Sequence, residues 1–218
     1  MDTAGGSAGA GDSGEGDVTV AEVLLFHHAH GLTSGVRAFA DTLRESGHTV
    51  HTPDLYDGHV FDDLGEGVAY AGEVGFPTIV ARGVEAAQGL PGNLVYLGLS
   101  LGVLPAQCLA QTRPGARGAL LLHSCVPTAE FGSPWPSGVP VQVHAMEADP
   151  WFVGDDLDSA RALLISADDA KLFLYPGAQH LFTDASLPSY DARAAAQVTR
   201  RAVGMLDGVD SGKGGTRR

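Results

Sequence analysis

Residues 93–102 read Asn93-Leu94-Val95-Tyr96-Leu97-Gly98-Leu99-Ser100-Leu101-Gly102, and the reading of this stretch decides the fold. The apolar run Asn93 to Leu97 predicts a strand. Helical spacing from Leu101 to Gln111, closed by Pro114-Gly115, predicts a helix immediately after it. Between them lies Gly-x-Ser-x-Gly. A turn this tight holds its serine at a strained backbone angle, flanking glycines avoid clashes, and the hydroxyl projects over the positive end of the following helix. With this much glycine, chance alone supplies the bare pattern in roughly a quarter of such chains. Gly5-Gly6-Ser7-Ala8-Gly9 is such an accident, following no strand and opening no helix. Context therefore makes Ser100 the candidate nucleophile, against the plain alternative of a structural Gly-Ser turn.

Outward from this point, short apolar runs alternate with helical stretches. Strands are predicted over Val18 to His27, His48 to Pro53, Gly118 to Leu122, Val139 to His144 and Lys171 to Tyr175. Helices are predicted over Gly35 to Ser46, Pro77 to Ala87, near Leu157 to Ser166, and Ser189 to Leu206. Strand–helix alternation implies a mostly parallel sheet with helices on both faces, an α/β three-layer sandwich. The strands are nearly continuous apolar runs, as fits a sheet covered on both sides. One domain is expected over residues 17–207, flanked by disordered tails at 1–16 and 208–218, which hold little to bury.

The chain has 218 residues, 26 acidic against 13 basic, for a net charge of −13. So acidic a surface repels phosphate backbones and anionic lipid headgroups, so neither nucleic acid nor membrane is an expected partner. Two cysteines, Cys108 and Cys125, require no oxidising compartment. The first 36 residues lack Lys and Arg, and the apolar run Val23 to Phe26 is too short for a secretory signal. A cytoplasmic protein is the expectation, and a homodimer is left open.

Ligands of such sheets sit at the carboxyl ends of the strands. A serine hydroxyl is a weak nucleophile and needs a base and a group to orient that base. After strand 139–144 comes Met146-Glu147-Ala148-Asp149-Pro150-Trp151, and after strand 171–175 comes Pro176-Gly177-Ala178-Gln179-His180-Leu181-Phe182. The order Ser…Asp…His makes His180 the candidate base and Asp149 the candidate orienting acid, with Glu147, Asp155 and Asp156 close enough to compete. The N–H groups of Leu101 and Ala29 are the candidate oxyanion donors. Around Ala29 the chain reads His27-His28-Ala29-His30-Gly31. Adjacent histidines at a strand end point in opposite directions and no cysteine or paired carboxylate stands beside them, which disfavours a metal. Pocket lining is the better reading for His28, a candidate neighbour of Ser100, and for His30. Leu99, Phe61, Trp135, Trp151 and Phe182 complete the expected substrate pocket, although loop packing explains such aromatics equally well.

Over about residues 18–207 the chain resembles the dienelactone hydrolase family of α/β-hydrolases. The resemblance is carried by Pro53-Asp54-Leu55-Tyr56, the Gly98-to-Gly102 elbow, Glu147-Ala148-Asp149-Pro150, Tyr175 through Phe182, and Leu187-Pro188-Ser189-Tyr190-Asp191. It implies hydrolysis of a small-molecule lactone or ester through an acyl-enzyme, without a cofactor. Three departures stand out. The founding enzymes use a cysteine where this chain has Ser100, and place a glutamate from the first loop where it has His28. They also hold a substrate carboxylate with arginines, one of them at the position of Asp184. With no Lys or Arg from Tyr56 to Ala81, a carboxylate-bearing dienelactone is expected to meet an uncompensated acidic site, so a neutral or apolar ester or lactone is the better substrate. The same residues also serve acyl transfer, carbon–carbon hydrolysis, a cyclisation, or a binding protein with a vestigial triad.

Overall fold

The structure is a computed structural model and describes residues 20–210. Six parallel strands form one sheet in the order β2-β1-β3-β4-β5-β6. They are β1 (Glu22–Phe26), β2 (Thr49–His51), β3 (Val95–Leu99), β4 (Gly118–Leu122), β5 (Val141–Met146) and β6 (Ala170–Tyr175). The helices are α1 (Ser34–Glu45), α2 (Leu64–Val74), α3 (Phe76–Gln88), α4 (Val103–Thr112), α5 (Asp155–Ser166) and α6 (Ala192–Asp210), with short 3₁₀ turns at Ser100–Gly102 and Thr128–Phe131.

Strand side chains alternate between two cores, which is why the strands read as unbroken apolar runs. Leu24, Phe26, Tyr96, Leu121 and Val143 face one core, closed by Ile79 of α3, Ala106 and Leu109 of α4, and Leu163 of α5. Val23, Leu25, Val95, Leu97, Leu120 and Leu122 face the other, closed by Val36, Phe39 and Leu43 of α1 and by Val198, Ala202 and Leu206 of α6. The three-layer α/β-hydrolase sandwich is therefore present, with every strand pair parallel.

Several boundaries differ from the sequence reading. The central strand runs two residues further, to Leu99, because Gly98 and Leu99 still pair with Leu121 and Leu122 of β4. The following helix opens as a 3₁₀ turn before α4. Helix α2 has no counterpart in the sequence reading. Gly65, Gly67 and Gly72 weaken its propensity, and it buries only Gly67 and Ala71, so it shows little apolar period. Asp63 caps it by accepting from Glu66 N at 3.0 Å, a cap legible in the sequence as Asp-x-x-Glu. The expected tail at 1–16 lies outside the described residues, as do residues 211–218. Residues 208–210 are helical rather than tail, since Val209 packs on the second core and its carbonyl accepts from Arg117.

Candidate active site

At the end of β3 the backbone turns at Ser100 with φ of +50°, a left-handed conformation that costs a non-glycine residue about 1–2 kcal/mol. Two glycines make the turn sterically feasible. A Cβ on Gly98 would collide with the Gly102 carbonyl, and one on Gly102 with the carbonyls of Phe26 and His27. The elbow is thereby pressed against the end of β1, the strand that leads into the Ala29 loop.

Ser100 Oγ lies 3.0 Å from His180 Nε2, and His180 Nδ1 lies 2.7 Å from Asp149 Oδ2. Asp149 is fully buried. Its second oxygen accepts from Trp151 N at 2.9 Å, so its acceptor sites are directed by both the base and its own loop. The loops after β5 and β6 are tied together by Glu147 N to Tyr175 O (2.9 Å) and Ala148 N to Gly177 O (3.0 Å), which fixes acid relative to base. Among the described residues, the carboxylate that hydrogen-bonds the His180 ring is Asp149, and the competing acids are otherwise engaged or exposed. Glu147 and Asp155 are exposed, and Asp156 accepts from Ser124 Oγ (2.6 Å) and Cys125 N (3.2 Å). Such a chain can pass the serine proton to the imidazole while the carboxylate holds the ring's tautomer.

Leu101 is the second residue of the 3₁₀ turn that Ser100 opens, within the first turn, where N–H groups lack intrahelical acceptors. The Ala29 N–H donates no backbone hydrogen bond among the described residues. The Ala29 loop itself is tied down by its three histidines. His27 Nδ1–H donates to His28 O (2.8 Å) while Nε2 accepts from Leu55 N (3.0 Å). His30 Nδ1–H donates to Phe61 O (2.8 Å), and Phe61 N returns a bond to His30 O (2.9 Å). His28 accepts from His30 N at Nδ1 (3.3 Å) and donates from Nε2 to Asp184 Oδ2 (2.8 Å). Each imidazole is engaged by protein partners, and the three do not converge on one point.

Two expectations change here. His28 is not a neighbour lining the substrate space. It is fully buried, and desolvation lowers its pKa despite the adjacent carboxylate. Nor is Asp184 an uncompensated charge facing substrate. It is 2% exposed and accepts from His28, Thr33 Oγ1 (2.5 Å), Ser186 N (2.7 Å) and Ser186 Oγ (2.6 Å). Burial pushes its carboxyl up, but these hydrogen bonds outweigh burial and hold it below the usual carboxylate range.

The expected pocket residues also divide. Trp151 is at the site, its indole stacked on the His180 ring with centroids 5.7 Å apart. Phe61 is half-buried in an aromatic cluster with Tyr56, His59 and Tyr70 beside the His30 loop. Leu99 and Phe182 are buried in the second core and present no open surface. Trp135 is displaced altogether. Its Nε1–H donates to Val139 O (2.7 Å), two residues before β5 begins, because the β4–β5 connection has already carried the chain back to the amino ends of the strands.

The sequence reading missed His123. Register pairs Leu99 with Leu122, so His123 follows β4 as Ser100 follows β3. Its φ is +68° and it is fully buried. Its Nε2 lies 2.8 Å from Thr183 Oγ1, and its ring stands edge-on to His180 at 5.8 Å. Burial, then the neighbouring His180, drive its pKa well below the ordinary value, so it stays neutral beside the base. The signal available was a polar residue closing the apolar run Ala119 to Leu122 at a strand's carboxyl end.

The model of the dienelactone hydrolase family matches residues 13–209. The chain belongs to that family. Among solved structures, this family member is similar to a Klebsiella pneumoniae protein assigned to the dienelactone hydrolases, at 19% identity, TM-score 0.69, and 87% and 88% coverage of the two chains. It is also similar to a dienelactone hydrolase-like promiscuous phosphotriesterase from metagenomic libraries, at 21% identity, TM-score 0.66, and 87% and 86% coverage. A cold-adapted esterase from an Arctic intertidal metagenomic library matches at 16% identity, TM-score 0.60, and 87% and 83% coverage. At these identities the likeness is one of fold. No curated protein matches the chain significantly. Among the described residues of this family member, no helix is long and apolar enough to cross a membrane.

Proposed function

We propose that this protein hydrolyses a neutral or apolar carboxylic ester or lactone through an acyl-enzyme. The observation that carries the reading is the continuous hydrogen-bonded chain from Ser100 Oγ through His180 to buried Asp149. Ser100 Oγ attacks the carbonyl carbon as its proton passes to His180 Nε2, and the N–H groups of Ala29 and Leu101 receive the oxyanion. The tetrahedral intermediate then collapses. The alkoxide leaves with the proton from His180, and water repeats the sequence on the acyl-serine.

The preference for uncharged substrates rests on the groups nearest the base. Trp151 offers an apolar face and His123 is held neutral. Asp156 on α5 is a carboxylate within electrostatic reach of His180. An anionic substrate would add a like charge to this wall without a cation to offset it. A fluorophosphonate probe tests the nucleophile: wild type should label and Ser100→Ala should not. Paired substrates test the class, a methyl ester or lactone against the same molecule carrying a free carboxylate. Brisk turnover of the carboxylate member would overturn the preference, and an unlabelled wild type would overturn the acyl-enzyme.

A further inference from the structure

We propose that Trp151 is a positioning residue of His180: its indole face steadies the imidazolium formed in each half of the reaction. The inference rests on the hydrolytic reading above. Trp151 is bound to the catalytic chain at two points. Its N–H fixes Asp149 Oδ1 (2.9 Å), while its ring lies over the imidazole at an interplanar angle of 30° with centroids 5.7 Å apart. Trp151 as a residue is 53% exposed and belongs to neither core, so packing does not account for its placement. A large aromatic left half in water gives up part of its hydrophobic stabilisation.

Proton movements explain what it gains there. As Oγ bonds to the carbonyl carbon, the serine proton moves to Nε2 and the ring becomes a cation. When the carbon–oxygen bond to the leaving group breaks, that proton goes to the departing alkoxide. The second half repeats both moves with water. The electron-rich face of an indole attracts a cation within about 6 Å of its centroid. The other groups facing the ring are Asp149 at Nδ1, the Asp156 carboxylate from α5, and neutral His123 edge-on from β4. Asp149 and Asp156 favour the cation electrostatically, and Trp151 adds the contact over its face.

Full-length Trp151→Leu and Trp151→Phe, assayed on 4-nitrophenyl acetate across pH, decide the matter. Trp151→Leu should lower kcat about two- to fivefold, with KM within about twofold of wild type. The acid limb of its kcat/KM profile should move to lower pH by about half a unit, since a less stabilised imidazolium gives up its proton sooner. Trp151→Phe should restore most of both. Trp151→Met, with apolar bulk and no ring, reads the same quantities if the Leu variant does not fold. A change in KM alone would make Trp151 a substrate contact, and a lower kcat with an unmoved acid limb would make it loop packing. Either result overturns the inference. Ser100→Ala in the same assay separates the two levels: if it matches wild type the hydrolytic reading falls, whereas if it is dead and Trp151→Leu matches wild type, only the role of Trp151 falls.

Discussion

In the proposed mechanism, removing the Ser100 hydroxyl deletes the attacking atom, and removing the His180 imidazole leaves that hydroxyl protonated. Each change should lower kcat by about 10⁴-fold or more, because the two act as one unit. Asp149→Asn should cost somewhat less, and the triple variant little more than the worst single one. Steady-state kinetics on any ester that wild type turns over would check this, and near-full activity in His180→Ala would remove the base from the mechanism. At this scale the sequence was most informative about which side chains the strand ends bring together, as for Ser100, Asp149 and His180. It was least informative about direction. Nothing in His27-His28-Ala29-His30 says that all three rings reach protein partners, because those partners (Leu55, Asp184, Phe61) come from distant loops. Likewise Asp184 reads as a free acid until Thr33 and Ser186 are seen around it.

The elbow shows how an element depends on residues that carry no chemistry. Gly102 lies where the first turn after Ser100 meets the backbone of Phe26 and His27. Gly102→Ala should force these carbonyls apart, destabilising the fold by about 1–3 kcal/mol and displacing both of the proposed oxyanion donors, Ala29 and Leu101, at once. Urea unfolding and kcat should therefore fall together, and a variant with unchanged midpoint and activity would show that the contact relaxes freely. Strands β3 and β4 were legible because residues buried on both sides must be apolar. Helix α2 was not, because three glycines and a shallow seat remove the periodic stripe by which helices are read. Trp135 was misplaced for a related reason. With one short 3₁₀ turn between β4 and β5, no helix marked where the chain returns from the carboxyl ends of the strands to their amino ends.

Three buried histidines govern how the whole molecule responds to acid. His28, His123 and His144 all have pKa values lowered by burial, that of His144 to about 3. Each is neutral in the folded protein and takes up a proton near pH 6.5 once unfolded, so the unfolded chain binds more protons and stability declines as pH falls below 6.5. For His144 this amounts to about 2 kcal/mol by pH 5. Asp184, with its depressed carboxyl, adds a further loss only below the ordinary carboxylate range. Urea midpoints measured from pH 7.5 to 5 should drop steadily, and a flat profile would contradict the burial of these rings. Finally, β6 is paired on one side only, by β5, and it delivers the loop bearing His180, Thr183 and Asp184. A boundary strand detaches at lower free energy than the interior of a sheet. His180 is thus suspended from a strand anchored along one side alone, and mild denaturant should silence the enzyme while far-ultraviolet circular dichroism still reports an intact protein.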